Sequence, residues 1–428
     1  MAQPLIANED RASLLNRFLR YVRIPTQSDE NSKTSPSTEC QKDLARVLAD
    51  ELRGIGCRDV EVTEWGYVFA TIPSSVPAGD PAAGRVPVIG LLAHMDTYFG
   101  TRGDGVKPQV IEAYDGSDIV LPGDPSQVIR ASENPNLARC VGHTIITSDG
   151  TTLLGADDKA GIAEIMTVAE YLLHHPEFRH GTVRIGFTTD EEVGRGTEHF
   201  DVQAFGARFA YTLDGSDLAE VEDETFCADA AAVTIEGHDV HPGYAKGKMV
   251  NAVRVASRLI SLLPPDFLPE TTEDRQPYLH PYAIQGDVTR VGIKFLVRAF
   301  TVEELREREE SLRAVAGQVR EEFPGARVTV EVQEQYRNMR EKLEEDPRVL
   351  EYAFDAIRRM GLTPQRRAIR GGTDGARLSF LGLPTPNLWA GGQNFHSMQE
   401  WVSLEWMAAA VECVLHLLSL WVERSREP

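Results

Sequence analysis

The sequence predicts an α/β fold of two domains, one doubly wound around a mostly parallel sheet and one smaller α+β domain inserted into it. Apolar runs of strand length alternate with helical periodicity in both terminal parts of the chain, as a parallel sheet with crossover helices requires. That pattern stops near residue 219 and returns after residue 346. A chain of 428 residues also exceeds the usual size of one hydrophobic core.

The elements of the first part alternate in the order expected for a doubly wound sheet. Apolar residues at helical spacing predict helices over 14–21, 39–53 and 160–173. Continuous apolar runs predict buried strands over 86–93, 182–188 and 209–213. Residues 100–140 are rich in Gly, Pro and Asp, so we expect an extended excursion with little helix there.

The inserted part has the pattern of a compact α+β unit. We predict strands over 230–237, 292–300 and 328–333, and helices over 250–263 and 302–323. After residue 346 we predict a helix to residue 360, strands near 368 and 387, and a final helix from 403. We therefore assign residues 1–218 and 338–428 to the doubly wound domain and residues 219–337 to the inserted domain.

Composition limits the functions that are open to the chain. It carries 65 acidic against 44 basic residues, for a net charge of −21. Nucleic acids and anionic membrane surfaces bind clustered cations, so this excess of acid argues against both as partners.

Export and membrane insertion are not predicted. Residues 1–10 lack the basic start and apolar stretch of a signal peptide. The apolar stretch 407–422 contains Glu412 and His416, which indicates a packed helix. The five cysteines are scattered without CxxC spacing and fit a reducing compartment, so we expect a cytoplasmic protein.

Histidine and acidic residues repeatedly follow the predicted strands. In an open α/β sheet, ligands bind at the edge formed by the carboxyl ends of the strands. The residues concerned are His94 and Asp96, Asp157 and Asp158, Glu191 and Glu192, Asp214, and His396 in a glycine-rich loop.

Each of these residues also has an ordinary interpretation, such as a core histidine, a helix N-cap or a solvated turn. A cap, however, needs only one carboxylate, whereas Asp157 and Asp158 supply two. The three adjacent acids from Asp190 to Glu192 repel one another unless a cation neutralises them. One Glu could then bind a metal ion while its neighbour acts as a general base.

The combined set of imidazoles and carboxylates suits two zinc ions with a bridging carboxylate and open positions for water. His94 and Asp96 lie two positions apart on a strand, so one could bind the metal while the other orients it. No cysteine belongs to the set, which favours an open catalytic site over a closed structural one.

The motifs that contain these residues resemble those of the M20 family of co-catalytic zinc peptidases, over nearly the whole chain. Several such segments in this order are far more specific than a lone motif. The matching segments are HMDT at 94–97, LLGADDKAG at 153–161, DEEVG at 190–194, TLDG at 212–215, VHPGYAKGKMVNA at 240–252, RGGTDG at 370–375 and GGQNFH at 391–396.

The resemblance implies a role for each metal-site residue. Asp157 would bridge two zinc ions, with His94 and Asp214 on one ion and Glu192 and His396 on the other.

The resemblance also implies the catalytic and substrate-binding residues. The catalytic residues would be the general base Glu191, Asp96 holding the His94 imidazole, and His241 polarising the scissile carbonyl. The substrate-binding residues would be Asn251, Arg298 and Arg370.

The implied activity is removal of the N-terminal residue from tripeptides by a zinc-activated water. An acidic pocket suits a free α-amino group, and Arg298 with Arg370 suits a peptide carboxylate through bidentate pairing. The doubly wound domain would then be the zinc-binding catalytic domain, and the inserted domain a lid that supports homodimerisation.

Two other functions remain open at this point. A related hydrolase of dipeptides or N-acyl amino acids would share every metal ligand and differ in its substrate pocket. A non-catalytic metal or peptide binder on the same fold would be expected to lack the general base, and Glu191 is present.

Overall fold

The computed structural model describes residues 5–427, which divide into two compact units. The first unit comprises the chain up to Asp223, Met339–Arg367, and the segment from Thr373 onward. The second comprises Glu224–Asn338 and Ala368–Gly372. Residues 1–4, part of the segment inspected for a signal peptide, lie outside the described residues.

Helices and strands occur throughout both units. The α-helices are α1 Asn8–Tyr21, α2 Gln41–Ile55, α3 Pro135–Ala138, α4 Ala156–His174, α5 Val202–Phe205, α6 Ala252–Ser261, α7 Val302–Glu322, α8 Arg340–Leu343, α9 Arg348–Arg359, α10 Asp374–Phe380 and α11 Leu404–Ser425. The strands are β1 Arg58–Val62, β2 Val68–Ile72, β3 Ile89–His94, β4 Gln109–Ile111, β5 Ile119–Val120, β6 Val128–Ile129, β7 Ile145–Thr147, β8 Val183–Thr188, β9 Phe209–Gly215, β10 Glu220–Thr225, β11 Cys227–Glu236, β12 Tyr278–Gly286, β13 Arg290–Ala299, β14 Arg327–Tyr336, β15 Gln365–Ile369, β16 Asn387–Trp389, β17 Gly392–Gln393 and β18 Trp401–Ser403.

An eight-stranded sheet forms the centre of the first unit, in the order β1-β2-β8-β3-β9-β16-β10-β15. Its four middle strands, β8, β3, β9 and β16, run parallel, whereas β1, β2 and β10 join antiparallel to their neighbours. Every residue of β3 is buried, which explains its uninterrupted apolar sequence. The predicted doubly wound, mostly parallel α/β fold is confirmed.

Helix α4 is the central helix of the first unit. It packs against β3 and β9, and α1 and α11 pack against it. Gly161 permits this close approach, because a Cβ atom there would lie 1.9 Å from the Leu213 carbonyl oxygen. The glycine therefore sets α4 directly against the end of β9.

The second unit is a four-stranded antiparallel sheet, ordered β12-β13-β11-β14, with α6 and α7 packed on it. Its core includes Val233, Val255, Phe295 and Leu312, each at most 1% exposed. Strand β12 was not predicted from the sequence, because Pro281 interrupts it and the pairing shifts register between Pro281 and Ala283.

The excursion after β3 contains short strands and little helix. Strand β4 joins β7, β18 and β17 in a small antiparallel sheet, and β5 pairs with β6. Within residues 100–140 the α-helical part is the four-residue helix α3. The expectation of an extended excursion is correct.

Helix α11 has the length and mean hydropathy of a membrane span. However, 72% of its most apolar stretch is buried inside the structure, so it packs as the core helix that Glu412 and His416 indicate.

Glu164 is an unpaired carboxyl group inside helix α4. Its residue is fully buried, and neither of its oxygens has a hydrogen-bond partner among residues 5–427. Burial raises the pKa of Glu164 well above the ordinary value of 4.5. The folded state therefore holds this proton at a pH at which the unfolded chain has released it.

We expect Glu164→Gln to become more stable relative to the wild type as pH rises above about 4.5, where an unfolded Glu ionises. The unfolded chain then binds fewer protons than the folded one, so the wild type loses up to about 1.4 kcal/mol of unfolding free energy per pH unit. Urea denaturation at several pH values between about 5 and 8 measures the difference.

The matched control is Glu170→Gln on the same helix. Glu170 accepts a hydrogen bond from Arg17 at 2.9 Å, and its pKa is lowered because that pairing outweighs desolvation. Its contribution to stability is present above the unfolded pKa and is lost as pH falls, so the two variants should show opposite pH trends. Parallel pH–stability curves for wild type and Glu164→Gln would contradict the prediction.

Candidate metal centre

The carboxyl ends of the parallel strands bring most of the predicted site residues to one edge of the sheet. His94 is the last residue of β3, and Asp214 lies near the end of β9 beside it. Glu191 and Glu192 follow β8, the other parallel neighbour of β3. The topology therefore gathers residues that are up to 120 positions apart in sequence.

Asp157 approaches the same edge from the start of α4. Gly155 precedes the helix in a left-handed conformation, with φ +82°. Asp157 itself has non-helical angles, with φ −83° and ψ 102°, and its peptide bond to Asp158 is cis. The backbone here is an irregular turn that presents the Asp157 carboxylate to the strand ends.

The carboxylate of Asp157 lies between two imidazoles. Its Oδ1 is 2.8 Å from His94 Nε2, and its Oδ2 is 3.2 Å from His396 Nε2. His94 Nε2 also lies 3.7 Å from Asp214 Oδ1, and His396 Nε2 lies 3.0 Å from Glu192 Oε1. The five predicted ligands thus form one cluster within the first unit, with Asp157 at the centre.

The electrostatics of the cluster favour positive charge. Desolvation disfavours charge on His94 and His396, but the surrounding carboxylates outweigh it and raise the pKa of both imidazoles, that of His396 to about 10. Hydrogen bonds from these imidazoles in turn hold the pKa of Asp157 well below its usual range, against its own desolvation.

The surroundings of Glu192 also favour a positive charge at the cluster. Its Oε1 lies 3.0 Å from His396 Nε2. This oxygen atom is buried and has no hydrogen-bond partner among the described residues. Burial and the charge of Asp157 raise the pKa of Glu192 to about 8. Nitrogen and oxygen donors that converge in this way fit divalent cations.

Asp96 holds the turn that carries the two glutamates. Its Oδ1 accepts the backbone N–H of Glu191 at 3.0 Å, and its Oδ2 accepts that of Glu192 at 3.1 Å. His94 Nδ1 lies 3.0 Å from the Asp96 carbonyl oxygen and 3.5 Å from its Oδ1. Asp96 therefore contacts the imidazole mainly through its main chain, and its carboxylate positions Glu191 and Glu192.

His396 is held by the loop after β3. Its ring stacks on that of Tyr98, with centroids 4.0 Å apart and planes 5° apart. Thr101 donates its hydroxyl hydrogen to the His396 carbonyl oxygen at 2.6 Å. His396 has a left-handed backbone, with φ 61°, so these contacts hold an otherwise uncommon conformation.

The other four predicted site residues lie in the second unit. His241 is exposed in the turn before Pro242–Tyr244, and Asn251 caps α6 by accepting the N–H groups of Val253 and Arg254. These contacts lie within the second unit. The catalytic role of His241 and the substrate-binding role of Asn251 therefore stay predictions.

The two predicted substrate arginines, Arg298 and Arg370, both follow Tyr278 in sequence. Burial raises the pKa of Tyr278, and the positive charges of the two arginines oppose that rise. Arg298 donates to the carbonyl oxygens of Asp229 and Val297. Arg370 donates to the carbonyl oxygens of Asp274 and Gln276, and its guanidinium lies 5.7 Å from the Tyr278 ring centroid. Their contact with substrate stays a prediction.

The sequence did not reveal that two acidic residues, Glu400 and Asp158, hold the backbone of the site through hydrogen bonds. Glu400 accepts backbone N–H groups of the turn that carries Asp157. Asp158, considered only as part of a carboxylate pair, is buried and accepts the His94 and Gly161 N–H groups. A buried acid leaves no periodic signal, so only three-dimensional contacts reveal such roles.

A family model described as peptidase family M20/M25/M40 matches residues 149–420 of the chain. The chain belongs to peptidase family M20. Residues 149–420 include Asp157, Glu192, Asp214 and His396 of the cluster. The fifth residue, His94, is the last residue of β3. The chain is therefore a peptidase. That the cluster binds its metal ions stays a prediction.

Named relatives extend the match over nearly the whole chain. Peptidase T of Geobacillus kaustophilus is 46% identical over 415 residues, which cover 97% of this chain and 100% of the relative. Peptidase T of Clostridium botulinum strain 657 is 47% identical over 411 residues, which cover 96% and 99%.

Solved structures share the fold. Aminopeptidase PepT of Bacillus cereus superposes with a TM-score of 0.74 at 23% identity, over 96% of this chain and 99% of that one. A tripeptidase of Staphylococcus aureus superposes with a TM-score of 0.75 at 22% identity, over the same shares.

We expect Asp157→Asn to bind far less divalent metal than the wild type, because its carboxylate faces both imidazole subsites. Elemental analysis after equilibration with Zn²⁺ and removal of free ion measures the bound metal per chain. The control is Asp201→Asn, which removes a carboxylate that caps α5 by accepting Ala204 N–H at 3.0 Å. Wild-type metal content in Asp157→Asn would show that this residue does not connect the two subsites.

Proposed function

We propose that the protein is a zinc-dependent aminopeptidase that removes the N-terminal residue from tripeptides. The observation that carries the proposal is the Asp157 carboxylate, with His94 Nε2 at 2.8 Å on one oxygen and His396 Nε2 at 3.2 Å on the other. Glu191, a candidate general base, belongs to the turn beside this cluster. The relatives named Peptidase T support the substrate class.

The donor set would suit two zinc ions. His94, Asp214 and Asp157 would hold one, and Glu192, His396 and Asp157 would hold the other, so Asp157 would be shared. When bound, the ions would activate water and stabilise developing negative charge on the scissile carbonyl oxygen.

Glu191 takes the proton of the attacking water and delivers it to the leaving amine. Asp96 fixes the backbone of this residue by accepting its N–H at 3.0 Å. Burial is the main cause that raises the pKa of Glu191 well above its ordinary value, with further contributions from neighbouring acids such as Asp374. Glu191 is half-buried, so it is partly shielded from bulk water.

The second unit supplies the remaining groups in this proposal. It acts as a lid and as the surface for homodimerisation. His241 donates a hydrogen bond to the developing oxyanion, and Arg298, Arg370 and Asn251 bind the peptide. Recognition of both peptide ends then limits the substrate to short peptides.

We also propose a cytoplasmic location. The five cysteines are free thiols in the described structure, which suits a reducing compartment.

A peptide-length series tests the activity and separates it from its closest alternative. With zinc-loaded enzyme, we expect kcat/KM to be highest for tripeptides with a free amino group and much lower for dipeptides and N-acetylated amino acids. Glu191→Gln is the control for the chemistry, and it should keep its zinc but lose roughly 10²–10⁴-fold in turnover. A preference for dipeptides or N-acyl amino acids would identify the related hydrolase instead.

His241→Ala should reduce kcat by about 10²-fold or more while leaving the zinc content unchanged, because an oxyanion donor acts mainly in the transition state. The control is His238→Ala in the same loop, whose backbone pairs with Val250. Steady-state kinetics and elemental analysis on both variants separate the role from damage to the loop. A kcat within about threefold of wild type for His241→Ala excludes an oxyanion donor.

A further inference from the structure

Glu400 receives three hydrogen bonds from the turn that carries Asp157. Its Oε2 accepts the N–H groups of Leu154 and Gly155, both at 2.8 Å, and its Oε1 accepts the Asp157 N–H at 3.1 Å. The residue is 1% exposed, so water does not compete for these bonds. Hydrogen bonds from backbone N–H groups to a buried carboxylate are among the stronger ones in proteins.

This arrangement does more than satisfy the first N–H groups of a helix. An ordinary cap comes from the residue at the helix start, but Gly155, which precedes α4, has no side chain to provide one. Asp157 also departs from helical geometry, with ψ 102°, so the intrahelical bonds of α4 do not determine its position. The carboxylate of Glu400 fixes the backbone at the point where the side chain of Asp157 leaves it.

Glu400 and His396 belong to one short segment. They are four residues apart, and the Asn394 side-chain amide donates to the Gln399 carbonyl oxygen at 3.1 Å within that segment. The segment therefore contacts Asp157 twice, through the His396 ring at its carboxylate and through Glu400 at its N–H. Any movement of the segment changes both contacts together.

We infer that Glu400 is a positioning residue for the metal centre, which fixes the backbone of Asp157 so that its carboxylate meets both the His94 and the His396 subsites. The inference rests on the proposed two-metal site. Glu400 contacts neither substrate nor ligand side chain in this role, and acts through the Asp157 main chain.

The test compares Glu400→Gln with Glu400→Ala. A glutamine has one acceptor oxygen, which can keep the two bonds to Leu154 and Gly155 but turns its NH₂ group toward the Asp157 N–H. An alanine loses all three bonds. The control is Glu405→Gln in the first turn of α11, whose carboxylate accepts the Thr144 N–H at 2.9 Å.

Titration of the metal-free proteins with Zn²⁺ measures the affinity of each site, and melting of the same metal-free proteins measures the effect on the fold. For Glu400→Gln we expect the weaker zinc site to lose roughly 10–100-fold in affinity, as removal of groups that orient metal ligands commonly does. Glu400→Ala should lose more, and Glu405→Gln should bind zinc as the wild type does.

The outcomes separate this inference from the function on which it rests. If the wild type binds two zinc ions and cleaves tripeptides but Glu400→Gln matches it in zinc affinity, the inference is wrong and the proposed function stands. The same holds if Glu400→Gln only lowers the melting temperature. A wild type that binds no zinc overturns the proposed function and this inference with it.

Discussion

The position of the Asp157 carboxylate between two imidazoles is the constraint on which the site depends. One oxygen lies 2.8 Å from His94 Nε2 and the other 3.2 Å from His396 Nε2, so a single side chain joins two halves of the cluster. A carboxylate reaches both only if its backbone is placed to within a fraction of an ångström. The irregular start of α4, with non-helical angles at Asp157 and a glycine before it, provides that placement.

Main-chain hydrogen bonds hold the acidic residues of the site close together. Glu191, Glu192 and Asp157 are half-buried. Burial and neighbouring acids raise the pKa of both glutamates, as expected of like charges in a site of low dielectric. Backbone N–H groups bound to Asp96 and Glu400 fix the chain segments that carry these acids. The protein thus holds these segments through hydrogen bonds to their main chain.

Sequence patterns were most informative where burial is complete. Strand β3 and helix α4 were predicted because every residue of the strand and nearly every residue of the helix is buried. Strand β12 was missed because Pro281 and a register shift break its pattern, and more than half of its residues are exposed. The role of Asp96 was predicted only in part, since a side chain two positions from His94 was expected to hold the ring, whereas its carboxylate bonds the Glu191 and Glu192 amides.

The sequence by itself determined the fold class, the family and the identity of the residues in the cluster, because apolar periodicity and short motifs are local properties of the chain. Only the tertiary structure decided which oxygen faces which imidazole, and that Glu400 bonds the turn of Asp157 from 243 positions away. Tyr98, which stacks on His396, is likewise distant from it in sequence, by 298 positions. Contacts between distant segments depend on packing of the whole unit and leave no pattern within either segment.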